Sequence, residues 1–258
     1  MNFLNLYTTT DPIVEISEQS KELQRTEQWH ADRLGKFTGS KIKELMSCSR
    51  STAEMPWGRP EKLIDFGQAA KKYVYSRARE RETGIAIKIK ETKAMKYGTA
   101  GEEIVKELLK NKYPRATFEE VGFLEFITGV AGASPDWKAT QNNKSMGVEI
   151  KCSTNYDTEY SRLIEAFEQK HQDFWQVQTE MMALKVNKML YVVAAPTENM
   201  NYEDIKEITV KPVDASPIHQ NAIYERCLIS EAVIKDYFET QDFNESFYKI
   251  LSNYEHKN

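Results

Sequence analysis

Ser134-Pro135-Asp136, followed after a short polar run by Gly147-Val148-Glu149-Ile150-Lys151-Cys152, is the stretch that decides how this chain folds. Side chains alternate faces along a strand, so Glu149 and Lys151 share one face while Val148 and Ile150 point into apolar packing on the other. Segments 130–137 and 146–152 are short and β-rich, and they flank Gln141-Asn142-Asn143-Lys144-Ser145, a hairpin turn by composition. Pairing these two segments brings Asp136 toward Glu149. Two carboxylates and a lysine then gather at the end of a sheet. The Glu-x-Lys spacing alone says little, because it occurs four times. At Glu91, Glu168 and Glu255 it lies in polar segments, where a solvated charge pair accounts for it. Only Glu149-Ile150-Lys151 lies in an apolar strand, where a charged pair is costly unless something compensates it.

Such a cluster has a chemical use. Mg²⁺ takes hard oxygen ligands, keeps several waters and accepts one or two protein carboxylates. It polarises a phosphoryl oxygen and lowers the pKa of water, and a neighbouring lysine can orient that water or meet developing negative charge. Glu102, in the helix after Tyr97-Gly98-Thr99-Ala100-Gly101, is a further candidate. The plainer reading of Glu102 is a favourable charge in the first turn of a helix. Arg33 in Trp29-His30-Ala31-Asp32-Arg33 and Ser40 in Thr38-Gly39-Ser40 combine an arginine with a hydroxyl at a helix start, the makings of a phosphate pocket; a salt bridge and an N-cap are the alternative. Gln176 and Gln178 are two apart on a predicted helix and face different ways, so one can reach the cluster while the other makes surface or core hydrogen bonds.

The chain has 258 residues, a net charge of −4, and 40% apolar and 29% charged residues, enough for a sizeable core. No run approaches the ~20 apolar residues that span a bilayer. Residues 1–12 read as a loose arm and lack the basic-then-apolar pattern of a secretory leader, so a cytoplasmic protein is expected. Cys48, Cys152 and Cys227 are widely spaced and form no CxxC pair, which argues for reduced thiols. The four histidines show no metal-ligand spacing. Slight acidity disfavours a protein that coats DNA indiscriminately but not an enzyme that gathers carboxylates locally. Nine cations fall within residues 71–96 and could track a phosphate backbone, or form a solvated face.

Without repeats or linkers, 1–258 reads as one mixed α/β domain, with 196–258 a C-terminal extension of strand and helices. Helices are expected over 15–28, 41–46, 63–82, 95–113, 173–184, 225–237 and 244–254, with Thr38 or Ser40 as the N-cap of the second. The run from Trp29 to Phe37 reads as an approach to a turn. Strands are expected over 118–127, 130–137, 146–152, 189–195 and 205–210.

Trp29-His30…Arg33-Leu34-Gly35…Thr38-Gly39-Ser40, Tyr97-Gly98…Glu102, Ser134-Pro135-Asp136, Glu149-Ile150-Lys151-Cys152 and Gln176-Val177-Gln178 occur in order, and together they resemble the lambda exonuclease/YqaJ-like viral recombinase family of the PD-(D/E)xK nuclease superfamily. The resemblance implies a restriction-endonuclease-like core, a central mixed β-sheet flanked by helices. It implies Mg²⁺- or Mn²⁺-dependent digestion of linear duplex DNA from 5′ ends, with two ions per site, leaving 3′ single-stranded tails. On that pattern Asp136, Glu149 and the Ile150 carbonyl hold metal, Glu102 supports a second ion, and Lys151 positions water. Arg33, Ser40, Ser134 and Gln176 bind phosphates. A single-strand annealing protein and a ring-shaped homotrimer are the implied partners. A restriction-type or structure-specific endonuclease, or a non-cleaving DNA-end-binding module, remain alternatives. Two positions depart from the pattern: Trp137 stands where glycine is common, and Ser153 where proline is. Trp137 is expected to pack in the sheet.

Overall fold

The computed structural model describes residues 24–87, 92–153, 162, 167–168, 170–195 and 202–255. The expected arm over 1–12, most of the helix expected over 15–28, and Lys88, Lys90, Glu91 and His256 lie outside the described residues. In chain order the elements are α1 (Glu27–Arg33), β1 (Phe37–Thr38), a 3₁₀ turn (Gly39–Lys41), α2 (Ile42–Leu45), α3 (Pro60–Ile64), α4 (Gln68–Thr83), α5 (Lys93–Lys112), β2 (Thr117–Glu120), β3 (Leu124–Ile127), β4 (Ala131–Ala133), β5 (Trp137–Gln141), β6 (Lys144–Cys152), α6 (Phe174–Leu184), β7 (Lys188–Ala194), a second 3₁₀ turn (Tyr202–Asp204), β8 (Thr209–Asp214), α7 (Pro217–Thr240) and α8 (Phe243–Glu255). The mixed α/β class holds. The chain divides into two compact units.

The first unit is built on a five-stranded sheet of order β2-β5-β6-β7-β8. β5 and β6 form the expected hairpin, closed by Asn142 and Asn143, both at positive φ (52° and 60°). That backbone matches the twist of a two-residue hairpin and is one that asparagine tolerates. The pairing itself differs from expectation. Pro135 has no N–H for a ladder, so the predicted strand 130–137 stops at Ala133, and Trp137 begins a new strand opposite Val148. β6 runs on past β5, and β7 lies parallel to it after the α6 crossover. β7 is buried almost throughout, as its unbroken apolar run requires. The last strand starts at Thr209 rather than Ile205; Ile205 instead joins the core.

Alternation along β6 places the site. Met146, Val148 and Ile150 pack with Val105 and Leu109 of α5 and with Tyr113 at its C-terminal cap, together with Trp137, Leu190 and Val192. Trp137 is 3% exposed and lies against Phe118 at 5.0 Å, so it packs in the sheet. On the opposite face a side chain at Gly147 would come within 2.8 Å of Leu184 in α6. Glu149 and Lys151 share that α6 face.

The second unit contains α1–α4, the small sheet β1-β4-β3, α7 and α8. The segment from Trp29, expected to approach a turn, lies mostly in α1, which the Thr26 side chain caps by accepting from Trp29 N at 3.1 Å. Thr38 does not cap the following turn; its hydroxyl lies 3.3 Å from the Tyr73 hydroxyl. The predicted helix 63–82 breaks between α3 and α4. Gly67 packs where a Cβ would meet the Cys48 carbonyl at 2.8 Å, and the buried Arg226 donates to the Leu63, Asp65 and Ser47 carbonyls at the break. Segment 118–127 also divides: β2 belongs to the large sheet and β3 to the small one. No helix among the described residues is long and apolar enough to cross a membrane, and all three cysteines are free.

Candidate active site

Because β5 begins opposite Val148, the N–H of Ile150 has no strand partner on that edge. Asp136 supplies one: its Oδ2 accepts from Ile150 N at 2.7 Å. In an extended strand the N–H and C=O of one residue leave by the same edge, so the Ile150 carbonyl faces the Asp136 side as well. The proline that ends one strand thus frees the following carboxylate to bind the next.

Glu149, 3% exposed, is gripped through one oxygen. Its Oε1 accepts from Lys151 Nζ at 2.6 Å and from Gln176 Nε2 at 2.6 Å. Gln176 Oε1 in turn accepts from Lys151 Nζ at 3.1 Å, and its Nε2 donates to Glu180 Oε1 at 2.7 Å. Gln176, expected to bind a phosphate, has an amide that joins three charged side chains. Gln178 faces elsewhere, is fully buried, and donates to the Asp214 carbonyl at 3.0 Å. Glu180 was absent from the sequence reading. Its only signal there was its place one helical turn after Gln176.

The electrostatics follow from burying three acids around one base. Burial, then the charge of Glu149, pushes Asp136 up to about 8, with Lys151 partly opposing. Glu180 is likewise raised well above the carboxylate range by burial and by Glu149. Burial alone would lower the Lys151 ammonium, but Glu149, Asp173 and Glu180 more than reverse this, and it is raised. Oε2 of Glu149 and Oε2 of Glu180 are buried and accept no hydrogen bond.

This donor set suits a hard divalent cation. Among the described residues no group of three or more His, Cys, Asp or Glu forms a ready metal cage. Mg²⁺ does not need one, since it keeps waters and takes one or two carboxylates. Buried carboxylate oxygens without a hydrogen bond, and the charge of Glu149 acting on both Asp136 and Glu180, mark a site where, among the described residues, Lys151 does not fully offset the acids.

Glu102 is half-buried in the middle of α5, well past the N-cap Thr92, so it is not a first-turn charge. The preceding Gly101 lets α5 approach β6: a Cβ there would lie 3.0 Å from Cys152 Sγ. Burial, then Glu102 and Asp136, pushes the Cys152 thiol up to about 12, so both carboxylates act on the same end of β6. Glu103 is exposed and pairs with Lys106 at 2.8 Å. Ser134 is half-buried in the 134–136 segment ahead of β5.

In the second unit, Arg33 Nη2 donates to Ser40 Oγ at 3.4 Å, and its guanidinium lies 4.0 Å from the Trp29 ring centre. Burial lowers Arg33 to about 10, which leaves it charged at neutral pH. Of the cations expected to track DNA, Arg77 pairs with Glu80 at 2.8 Å, Arg79 with Glu82, and Arg81 with Glu231 at 2.6 Å. Only the Arg81 pair joins α4 to α7, the other two lying within α4; Lys72, Lys93 and Lys96 are exposed.

A model of the YqaJ-like viral recombinase domain matches residues 28–184, which include Arg33, Ser40, Glu102, Ser134, Asp136, Glu149, Ile150, Lys151, Gln176 and Glu180. The chain belongs to the YqaJ-like viral recombinase family. Among solved structures, this family member is similar to an alkaline exonuclease from Laribacter hongkongensis, LHK-Exo, at 21% identity and a TM-score of 0.64 over 83% of this chain and 95% of that one. The same protein in complex with dAMP matches at 20% identity and a TM-score of 0.63, over the same shares of each chain. A phage-related exonuclease from Haemophilus somnus matches at 16% identity and a TM-score of 0.63, over 80% of this chain and 96% of that one. These likenesses give the YqaJ-like chain the restriction-endonuclease-like fold of that nuclease group. No curated protein matches it.

Proposed function

We propose that this YqaJ-like protein is a divalent-cation-dependent exonuclease that digests linear duplex DNA from 5′ ends and leaves 3′ single-stranded tails. The observation that carries the reading is Asp136 bound to Ile150 N beside a Glu149 clamped by Lys151 and Gln176, with buried carboxylate oxygens left over. It is supported by the likeness to two exonucleases, one of them also seen in complex with dAMP.

On this reading Asp136, Glu149 and the Ile150 carbonyl hold Mg²⁺, or Mn²⁺ in its place, and Glu102 supports a second ion. When bound, the metal supplies Lewis acidity toward a phosphoryl oxygen and toward water. Lys151 orients the attacking water and meets the negative charge that grows on the phosphate. Gln176 is reassigned from phosphate binding to holding Glu149 and Lys151. Ser134 binds phosphate, and so, in the second unit, do Arg33 and Ser40. The exposed 3′ strand suits a single-strand annealing protein as recipient, a ring-shaped trimer is the matching assembly, and the host cytoplasm is the place of work.

Linear duplex labelled on each strand separately, with and without Mg²⁺, tests the reading. The 5′ label should be released first, only with Mg²⁺, while the 3′ label stays on single strands. Release of the 3′ label first, or cutting of covalently closed circles, overturns it; the latter favours an endonuclease.

Arg33→Ala should remove any preference for phosphorylated over hydroxyl 5′ ends. A charge-assisted hydrogen bond is worth roughly 1.5–3 kcal/mol, so the lost discrimination is about ten- to hundredfold. Equal rates on both ends by both proteins would remove the phosphate assignment.

A further inference from the structure

Glu180 is 1% exposed, and one of its oxygens accepts nothing. A buried acid in that state does not favour folding; an apolar side chain of the same size serves stability better. Its other oxygen has one clear engagement. Gln176 Nε2 carries two hydrogens, directed to Glu149 Oε1 at 2.6 Å and to Glu180 Oε1 at 2.7 Å, while Gln176 Oε1 accepts from Lys151 at 3.1 Å. A flipped amide would turn its oxygen toward two carboxylates and its nitrogen toward an ammonium. Glu180 lies one turn along the same helix, so a rigid element delivers both the amide and its brace. Without the brace, Gln176 keeps contacts only at the sheet end of its side chain and regains rotamer freedom.

We propose that Glu180 is a positioning residue for strand cleavage: by accepting from Gln176 it fixes the amide that holds Glu149 and Lys151 in register. The proposal rests on the nuclease reading above. What it requires of Glu180 is an acceptor in place; the negative charge is not needed.

The full-length chain carrying Glu180→Met, Glu180→Gln or Glu149→Ala tests this by melting temperature without metal and by kcat and KM on linear duplex. Glu180→Met fills the volume without an acceptor. It should melt at or above the wild-type temperature and keep KM within about twofold, with kcat ten- to hundredfold lower, the scale of about an ångström of misplacement. Glu180→Gln keeps the acceptor and should recover kcat to within about threefold of wild type. Wild-type kcat in Glu180→Met overturns the proposal, as does a rise in KM with kcat unchanged. Glu180→Gln as slow as Glu180→Met also overturns it, because charge would then be the active property. If Glu180→Met melts lower, the rate of Glu180→Gln alone decides. Wild-type protein that releases no nucleotides refutes the nuclease reading itself, active Glu149→Ala removes Glu149 from the site, and inert Glu149→Ala with fully active Glu180→Met removes only Glu180.

Discussion

Glu149→Ala should abolish nucleotide release from linear duplex, by about a thousandfold or more, and leave a folded protein. A lost charge contact in a transition state costs about 10²–10³ in rate, and here the same side chain also anchors Lys151 and Gln176. Folding survives because Lys151 is not left alone. It keeps the Gln176 oxygen at 3.1 Å and the charges of Asp173 and Glu180. The penalty therefore falls below the roughly 3–5 kcal/mol of breaking an isolated buried pair. Removing Glu149 also relieves Asp136 of the neighbour that raises it. Acid-soluble nucleotide release and a thermal melt on the same sample check both halves. Near-normal Mg²⁺-dependent activity would remove Glu149 from the site.

The sheet centre was legible in the sequence because its signals are local. β6 alternates apolar and charged residues, Asn142-Asn143 marks a tight hairpin, and β7 is an unbroken apolar run. Which segments pair was less legible. Apolar content extends through 130–137, and the missing N–H of Pro135 is what divides it into strands of different sheets. The break between α3 and α4 was hidden for the same kind of reason: the helical period continues across it, while Arg226, far along the chain, takes the carbonyls that a continuous helix would use. Asp136, Glu149 and Lys151 stood out because charge in an apolar strand needs compensation. Glu180 did not, because a glutamate on a helix is unremarkable until the strand opposite it is known. The arginines of α4 misled in the other direction: a run of cations looks like a docking face, yet Glu80, Glu82 and Glu231 pair with them.

The metal-free protein should lose stability as pH rises from about 5 to 8, and Mg²⁺ should reverse the trend. An unfolded aspartate titrates near 4, whereas Asp136 in the fold holds its proton up to about 8. Between those values the folded state binds more protons than the unfolded one, so stability falls with rising pH. The contribution is fully present below about 4 and is lost through 8. The slope is at most about 1.4 kcal/mol per pH unit for one such group, less for solvent screening on its open side. Glu180, also raised, adds a slope of the same sign. Asp65 and Asp236, both lowered, act oppositely: their contribution is present above about 4 and is lost on acidification. Metal-free melting temperature should therefore peak near pH 5. A cation binds the ionised carboxylates and competes with their protons, so Mg²⁺ should raise the melting temperature more at pH 8 than at pH 5. Asp136→Asn, which keeps an oxygen for Ile150 N, should flatten the metal-free slope and much reduce the Mg²⁺ effect. An unchanged slope in Asp136→Asn, or equal stabilisation by Mg²⁺ at both pH values, would mean that Asp136 neither holds that proton nor yields it to the ion.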